Sequence, residues 1–552
     1  MNEYELRGKL ISHVENIIDE GFEDYIRKYG DNIRNLVIYP LLDLEMSYEE
    51  SNPANINNYL KRYTISLLLH NAYDYIKDKK LNIEVNKGDY NNYRNKKYPI
   101  LRSIMQDFRV LQEIKDGNSF AKSELKKESK NSYRLITSLV TNKYKEEVFY
   151  YHGFNAQEEF NKEQKMIIDG LEKYTLKYLP KKRKDLKKLD RLIIDIDEEM
   201  LEHCNSLVYK DIKKLGEKTK SKVINKIEDT KKVIGFLYYL SFIKRIRNML
   251  YSSVEMKKTI TPEDYLMSYD KQWLINKIGK ITMLSNHIIT NHIEFLTFRG
   301  KGSIIEFPLI NVKNKIVTIP SLLQLNDFHF NLANGHYRKK IDFIKRDNTV
   351  SKTVIDNMIN KVKFYNNIVI SKEKYYEFMY DKAKIKSDID IALYDVLHNK
   401  LLIIECKWKD NHYINEIDKN HVKIQSTVNK IFKKQISKHK KFLRERKNIY
   451  YIFDNNKRVR EIKESPDILY IGVDKRNQLH LENMHMITIY MIQFFFDKYG
   501  DKDRGILNLK DLFKEIRSLK TKVEYITTEI DKKIKLGELT IISDDLDLEY
   551  KF

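Results

Sequence analysis

Proline is scarce in this chain, with 8 in 552 residues, and the long stretches without it restrict what the chain can fold into. Residues 54–98, 100–179 and 181–261 contain none. Because proline removes a backbone N–H and breaks helices, such long proline-free stretches favour long helices. We therefore predict that the first 295 residues are helical almost throughout. We expect one long loop, residues 84–99 (EVNKGDYNNYRNKKYP), because that segment is polar and rich in turn-forming residues.

The composition indicates a folded protein with a polyanionic partner. Hydrophobic residues make up 42% of the 552 and aromatic residues 12%, which is enough to build several cores and excludes general disorder. The chain has 101 basic and 79 acidic residues, a net charge of +22. This surplus favours nucleic acid or an anionic membrane surface as the partner. Apolar residues nearly encircle the helix predicted over 232–250, which indicates a central buried helix.

The cysteines and the apolar runs predict a soluble cytoplasmic protein. Cys204 and Cys406 are too far apart in sequence for a CxxC site, which fits a reducing compartment. The start of the chain has no apolar segment typical of a secretory signal. The longest apolar runs, residues 233–243 and 486–496, are about half of the ~20 residues that span a bilayer. We therefore expect no membrane partner.

Strand-like patterns begin near Arg299. The predicted strand segments are a hairpin over 303–322 and runs over 375–380, 388–394, 400–407, 449–453 and 468–473. The predicted helices of this half are residues 348–364, a basic helix over 421–447 and a charged amphipathic helix over 509–533, followed by an acidic end with Asp544, Asp545, Asp547 and Glu549. The expected fold class is α+β multidomain. Its parts are a helix-rich region (1–296), a β-hairpin lead-in (297–342), an α/β module (343–500) and a C-terminal helix with an acidic tail (501–552).

The segment KSDIDIALYDVLHNKLLIIECKWKD, residues 386–410, has charged side chains where a buried strand normally continues with apolar ones. The side-chain period of two puts Glu405 and Lys407 on one face of their strand and Cys406 on the other. Asp388 and Asp390 share a face of the preceding strand. A short hairpin can therefore bring Asp390 near Glu405 and Lys407.

Two carboxylates buried together favour a bound cation, since like charges a few ångströms apart resist joint ionisation. Carboxylate oxygens suit Mg²⁺, which binds few protein ligands and keeps waters for a phosphate; Mn²⁺ is an expected substitute. A lysine beside such a metal can act on an attacking water. These residue types together predict metal-dependent hydrolysis of a phosphodiester.

Asp390, fourteen intervening residues and then Glu405-Cys406-Lys407 resemble the PD-(D/E)XK nuclease superfamily, over about residues 343–500. The resemblance implies a restriction-endonuclease-like mixed sheet flanked by helices, with Mg²⁺ held by Asp390 and Glu405 and with Lys407 as the catalytic lysine. The chain departs from the family pattern at Ile389, where a proline is customary. Many members add an acid on the preceding helix, and Asp356 is the best candidate for that metal ligand. The weaker candidates for the same position are Glu373 and Glu377.

The predicted basic helix supports a nucleic-acid partner. Between Lys419 and Lys447 it has eleven basic residues and one acid, Glu445. A face so one-sided repels itself unless an anion lies against it. The residues expected to bind the phosphate backbone are Lys433, Lys434, Lys438 and Lys441. Related nucleases often have a glutamine near the active site on this helix, and Gln435 is preferred over Gln425 as that catalytic residue.

Together these features predict a Mg²⁺-dependent endonuclease that hydrolyses DNA. The resemblance favours DNA over RNA, and architectures of this kind usually serve restriction or antiviral defence in bacteria. Two other functions stay open: a ribonuclease, and a catalytically silent nucleic-acid-binding subunit of a larger complex. The helix-rich region is expected to recognise a substrate, sense a trigger or bind a partner. Possible partners are a second copy of the chain, as in a homodimer, and a protein that supplies recognition or ATPase activity.

Overall fold

The computed structural model describes residues 2–50, 56–77, 79, 85, 87–115, 123–137, 165–179, 191–213, 226–252, 262–300, 302–304, 306–324, 343–407, 429–461, 464–474, 479–481, 484–519 and 525–550. The α-helices are Glu3–Tyr29, Ile38–Glu50, Ile56–Ile76, Lys87–Asn92, Tyr98–Lys115, residues 165–177, Glu198–Lys213, Ile227–Ser252, Lys271–Thr282, Asn286–Leu296, Pro320–Gln324, Phe343–Val362, Ser437–Phe442, Arg446–Ile452, Lys457–Arg460, Ile489–Lys498 and Leu509–Ser518. The π-helical segments are Tyr93–Lys97 and Asn429–Ile436, and the 3₁₀ turns are Ile33–Asn35 and Pro262–Tyr265.

The strands are β1 (Ser123–Lys127), β2 (Ser132–Thr137), β3 (Met267–Asp270), β4 (Ile310–Val312), β5 (Lys315–Thr318), β6 (Ile368–Tyr380), β7 (Ala383–Asp395), β8 (Lys400–Lys407), β9 (Asp467–Asp474), β10 (Leu479–Leu481), β11 (Met484–Thr488), β12 (Gly500–Asp501), β13 (Ile506–Leu507), β14 (Tyr525–Leu536) and β15 (Leu539–Tyr550). The protein is therefore of mixed α/β composition, which is consistent with the expected α+β class.

Amphipathic helices build the first core. In Glu3–Tyr29, the buried residues Leu10, Val14 and Ile18 recur every fourth position, so one face of the helix is apolar. This helix packs against Tyr98–Lys115, and both bury their apolar faces in the same core. The prediction of long helices in this half is confirmed for the described residues.

The helix Ile227–Ser252 is the centre of a second core. Its side chains are buried on nearly every side through the middle of the helix, and they include Val233, Phe236, Tyr239, Phe242 and Ile246. A helix that is apolar all round must be covered by neighbours on all sides. The prediction of a central buried helix over 232–250 is confirmed.

The predicted loop over residues 84–99 is wrong, because most of this segment is helical. The helix Lys87–Asn92 continues through a π-helical segment into Tyr98–Lys115. Tyr90 and Tyr93 are buried, and their rings lie 5.9 and 5.7 Å from the ring of Tyr39. Burial of two tyrosines offsets the weak helix preference of the asparagines and the glycine. The π-helical segment ends directly before Tyr98 and Pro99, where the missing N–H of proline interrupts the usual bonding.

A four-stranded sheet joins segments that are about four hundred residues apart in sequence. Its order is β1-β2-β15-β14, and β15 pairs with β2 in parallel from Thr540–Ser132 to Ser543–Leu135. Arg134 on β2 donates to Asp531 and Asp544 at 2.9 and 3.2 Å. The helix-rich region is therefore not purely helical, and it includes strands from near the C-terminus.

The helix predicted over 509–533 is confirmed over Leu509–Ser518 and is wrong over 525–533, where β14 lies; residues 520–524 lie outside the described residues. The acidic end is a strand rather than a tail. The helix Leu509–Ser518 packs on the six-stranded sheet described next, whereas β14 and β15 form a hairpin in the sheet with β2. Leu536, Leu539 and Ile541 are buried in the first core. Regularly spaced charges suggested a helix, but the β-branched isoleucines and threonines of 525–550 favour strands.

The lead-in segment contributes β4 and β5 to a small sheet of order β3-β5-β4, whose third strand, β3, comes from the helix-rich region. The predicted hairpin over 303–322 is confirmed in its centre, where β4 pairs with β5 from Ile310–Val317 to Val312–Lys315. The last residues of the predicted hairpin, 320–322, are instead part of the helix Pro320–Gln324. Residues 325–342 of the predicted lead-in lie outside the described residues.

A six-stranded mixed sheet is built from strands between Ile368 and Thr488, in the order β10-β11-β9-β8-β7-β6. Strands β6, β7 and β8 are antiparallel neighbours, whereas β8, β9 and β11 run parallel. The crossover from β8 to β9 carries the basic segment. The predicted strands over 375–380, 388–394, 400–407 and 468–473 are confirmed, with longer bounds for all except 400–407.

Helices cover both faces of this sheet. On one face, Phe343–Val362, Ile489–Lys498 and Leu509–Ser518 share a core with Ile404 of β8. On the other face, helical residues from 429–453 pack against Ile403 and its neighbours. The module therefore has three layers, helix on sheet on helix.

The predicted strand over 449–453 is wrong, because the helix Arg446–Ile452 occupies it. Ile449 and Ile452 are buried three residues apart on one helix face. A five-residue apolar run fits a strand and a buried helix equally well, so periodicity alone did not separate them.

In the described part of the chain, no helix is both long and apolar enough to cross a bilayer.

Candidate functional site

The pairing of β7 with β8 stops short of the end of both strands. Its last pair is Ile391–Ile404, while β8 stays paired with β9 as far as Lys407–Asp474. Beyond the last pair, the backbone N–H of Cys406 donates to Asp390 Oδ2 at 2.7 Å. The Asp390 carboxylate thus takes the place of the next ladder contact and holds β7 beside Glu405.

Strand alternation is broken at this same point. Ile391 packs into the core on one face of the sheet, but Ile389, two residues earlier, packs into the core on the other face. The neighbouring strand has a matching irregularity, since Glu373 lies between the pairs Lys372–Ile391 and Lys374–Ile389 and has a φ of 47°. Left-handed backbone is uncommon for glutamate. The regular period of two therefore does not extend through Asp390.

The structure brings together three of the residues predicted from the sequence. Lys407 Nζ lies 3.7 Å from Glu405 Oε2 and 4.0 Å from Asp390 Oδ2. Glu405 is fully buried, and the side chains of Asp390 and Lys407 are 14% and 17% exposed. The site thus opens to solvent through Asp390 and Lys407, with Glu405 at its floor.

Burial and the charge of a neighbouring acid disfavour the charged forms of both Asp390 and Glu405. Burial raises the pKa of Asp390 to about 7, with a further increase from the Glu405 charge; Lys407 and the N–H of Cys406 oppose that increase. Burial also raises the pKa of Glu405 to about 7, against the lowering effect of Lys407, while Asp388 adds to the increase. One ammonium group therefore does not compensate the two buried carboxylates.

The donor set fits a small divalent cation. Glu405 Oε2 is buried and has no hydrogen-bond partner among the described residues. Its nearest cation, Lys407 Nζ, is 3.7 Å away and is shared with Asp390. A buried carboxylate oxygen compensated this weakly is costly unless a metal ion or a water approaches it. No group of three His, Cys, Asp or Glu side chains in the described ranges is placed to share a metal ion. The site therefore offers two carboxylates, a number that suits Mg²⁺ with water and phosphate as its other ligands.

Two residues of the site were not found from the sequence, His439 and Tyr376. His439 Nε2 lies 2.8 Å from Glu405 Oε1, and the Tyr376 hydroxyl lies 2.6 Å from His439 Nδ1. Burial lowers the pKa of His439 to about 4, although Asp390 and Asp388 raise it. A neutral imidazole donates from Nε2 to the ionised carboxylate and accepts from tyrosine at Nδ1. The sequence does carry a sign of this contact: His439 is four positions after Gln435, so both would lie on the same face of the predicted basic helix.

The other predicted site residues are placed less closely. Gln435 Oε1 is buried without a hydrogen-bond partner among the described residues, on the π-helical segment that contacts β8 and β9. Asp356 is half exposed and accepts from Lys372 at 2.5 Å, and its helix covers the face of the sheet opposite His439. Neither Asp356 nor the weaker candidates Glu373 and Glu377 joins Asp390 and Glu405 in a three-acid group.

The predicted basic helix is described from residue 429, so Gln425 lies outside the described residues. Lys433 and Lys434 are exposed on its π-helical segment. Lys438 Nζ donates to the carbonyl oxygen of Lys386 at 3.1 Å, and Lys441 Nζ lies 4.1 Å from the ring centre of Tyr380. The two latter lysines thus border the β6–β7 hairpin, which also carries Asp390.

Comparison with known proteins gave no relative for this arrangement. No protein-family model, curated protein or solved structure matches the chain.

Proposed function

We propose that this chain is a Mg²⁺-dependent nuclease of the PD-(D/E)XK type, which hydrolyses DNA phosphodiester bonds endonucleolytically. The observation that carries the proposal is the buried Oε2 of Glu405, which accepts no hydrogen bond among the described residues and lies 3.7 Å from Lys407 Nζ, an ammonium group shared with Asp390. The three-layer module with antiparallel β6, β7 and β8 is of the kind that the resemblance implies. Buried charged groups with raised pKa values, grouped at the end of a strand ladder, favour a functional site over a purely structural role.

Each residue has a role in the proposed reaction. Asp390 and Glu405 would hold the cation, which supplies positive charge next to the scissile phosphate when it is bound. Lys407, partly exposed on the same side, would orient the water that attacks phosphorus. Gln435 would contact the reacting phosphate or its water from the neighbouring helix. Of the metal ligands that the resemblance implies, Asp356 has the least support, because Lys372 pairs with it.

The partner and the biological role belong to the same proposal. Lys433, Lys434, Lys438 and Lys441 would bind the phosphate backbone, and the resemblance favours DNA over RNA. Symmetric cutting of both strands would require two sites, so a homodimer or a partner protein would be involved. A restriction or antiviral role in the cytoplasm is the use that such architectures most often have.

The decisive experiment is cleavage of supercoiled plasmid by the full chain with Mg²⁺, with Mn²⁺ or with EDTA. We expect cutting that requires the metal, and a loss of at least about 10³-fold in rate in Lys407→Ala, equivalent to about 4 kcal/mol of barrier. Lys400→Ala is the matched control, since Lys400 lies at the other end of β8 and pairs with Asp467 instead. Its rate should stay within about twofold of wild type.

Structured RNA in parallel reactions separates the remaining functions. Metal-dependent cutting of RNA but not of plasmid would make the chain a ribonuclease, since a reader of the 2′-OH prefers RNA. Binding of nucleic acid without cutting of either substrate, under every metal, would identify a silent binding subunit. Equal activity in Lys407→Ala and wild type would remove the described site from the reaction.

A further inference from the structure

His439 has a position that the proposed chemistry does not use. Its side chain is fully buried, so it reaches neither solvent nor a substrate, yet its Nε2 lies 2.8 Å from Glu405 Oε1. A group without access to the reacting atoms can act on them only through the residue that it contacts. For His439 that residue is Glu405, whose second oxygen has no hydrogen-bond partner among the described residues.

The imidazole is itself fixed from behind. The Tyr376 hydroxyl lies 2.6 Å from Nδ1, and the Tyr376 ring stacks on Phe442 with centroids 3.9 Å apart and an angle of 10° between planes. Phe442 follows His439 by three residues, on the same helix face. Strand β6 and the helix thus hold one tyrosine and one histidine in a chain that ends at the carboxylate.

This chain of contacts determines which oxygen of Glu405 contacts His439 and which one lies on the side of Lys407. An imidazole that donates from Nε2 occupies Oε1, and rotation of the carboxylate would break that bond in a buried site. Oε2 therefore remains on the side of Lys407, 3.7 Å from Nζ. Carboxylates and histidines in metal sites commonly depend on such outer partners for their orientation.

We infer that His439 and Tyr376 are positioning residues, which orient Glu405 so that Oε2 faces a divalent cation bound with Asp390. The inference rests on the proposed function, since it concerns the metal ligand of the same site. It makes His439 a determinant of metal affinity rather than a residue that takes part in the reaction.

Mn²⁺ binding to the full chain, measured by electron paramagnetic resonance of the free ion, tests this inference without any need for cleavage. His439→Leu keeps a similar volume and removes the donor, and we expect 10- to 100-fold weaker binding. His439→Gln can donate from its amide nitrogen, so it should keep affinity within about threefold of wild type. Tyr376→Phe keeps the stacked ring and should weaken binding by about two- to tenfold.

His398→Leu is the matched control. His398 Nδ1 also lies 2.6 Å from a buried acid, Asp395, in the same sheet. Loss of this bond should lower stability and leave the Mn²⁺ affinity of the folded protein unchanged. Each variant is first shown to be folded by near-ultraviolet circular dichroism, so that a merely structural effect is separated from an effect on the metal.

The possible outcomes distinguish the inference from the proposed function. Wild type that neither binds Mn²⁺ nor cuts nucleic acid overturns both. Wild type that binds and cuts, with folded His439→Leu binding equally well, overturns the inference alone. If His439→Leu does not fold, Tyr376→Phe decides: weaker binding supports the inference, and wild-type affinity overturns it.

Discussion

The two ends of the β7–β8 ladder each hold a fully buried acid, and the protein treats the two acids differently. Asp395 accepts from Asn367 Nδ2 at 2.7 Å and from His398 Nδ1 at 2.6 Å, and it also caps the backbone N–H groups of Leu397 and Leu509. Glu405 accepts from His439, and its other oxygen has no hydrogen-bond partner in the described structure. Burial alone therefore does not mark a functional acid.

What distinguishes the two ends is whether the fold supplies all the partners. At Asp395 the donors come from the following turn, from β6's start and from the Leu509–Ser518 helix, so the carboxylate joins three elements. At Glu405 the strands separate, and one oxygen lies 3.7 Å from Lys407 Nζ, which is also 4.0 Å from the Asp390 carboxylate. The first arrangement stabilises the sheet, whereas the second leaves room for a ligand from outside.

The largest expected effect is a difference in the free energy of unfolding between variants of the two buried acids. Asp395→Asn puts an amide donor against four or more donors, which should lower the free energy of unfolding by about 2–4 kcal/mol. Glu405→Gln removes a poorly compensated charge, so it should leave the free energy of unfolding at pH 8 unchanged or raise it by about 1 kcal/mol. Urea unfolding followed by circular dichroism, in EDTA, measures both. An equal loss of stability in the two variants would break the comparison.

A smaller effect should appear as a dependence of stability on pH. Since folding raises the pKa of Asp390 and of Glu405 to about 7, the metal-free folded state binds more protons than the unfolded state between about pH 4 and 7. Stability should therefore fall as the pH rises through that window, by at least about 1 kcal/mol more in wild type than in Glu405→Gln. Unfolding in EDTA at pH 5 and pH 8 gives the difference.

Adding Mg²⁺ sharpens the same experiment. A cation that binds only the folded state should restore the stability of wild type at pH 8. Glu405→Gln should show little response to the ion. Parallel pH curves for the two proteins in EDTA would mean that these acids are compensated in some other way.

The smallest expected effect concerns the lysines at the two ends. Among the described residues Lys434 and Lys438 form no salt bridge, whereas Lys400 at the Asp395 end pairs with Asp467 at 3.0 Å. Lys434→Gln combined with Lys438→Gln should reduce the slope of log affinity for DNA against log salt by about two. Lys400→Gln, the control, should leave the slope unchanged. A titration of labelled duplex at several salt concentrations measures it, and an unaltered slope in the double variant would remove the basic helix from the binding surface.

The sequence was sufficient to predict Glu405, Lys407 and Asp390 as neighbours, because all three follow from one hairpin. Glu405 and Lys407 are two residues apart on one strand, and a short turn returns the chain to Asp390. The detail at Asp390 was not predictable by the same argument. The alternation breaks there, beside the left-handed Glu373, and a period of two does not report such an interruption.

Contacts that depend on how separate elements dock were beyond the sequence. His439 is 34 positions from Glu405, and the contact requires a particular placement of the helix on the sheet. The same reason applies to the segment with Tyr90 and Tyr93, whose burial favours a helix over the loop that its composition suggests. Strand β15 likewise pairs with β2, and no local sequence pattern near residue 540 predicts that pairing.

The pairing of β2 with β15 also restricts the order in which the protein can fold while it is being synthesised. The paired residues Ser132 and Thr540 are 408 positions apart. At roughly 5–20 residues per second, a ribosome needs roughly 20–80 seconds to pass from one to the other. During that interval the inner edge of β2 has no β15 beside it, and the six-stranded sheet, whose last strand ends at Thr488, is synthesised first. The first core therefore contains the earliest residues to be synthesised, but it is complete only after Leu536, Leu539 and Ile541 have been added.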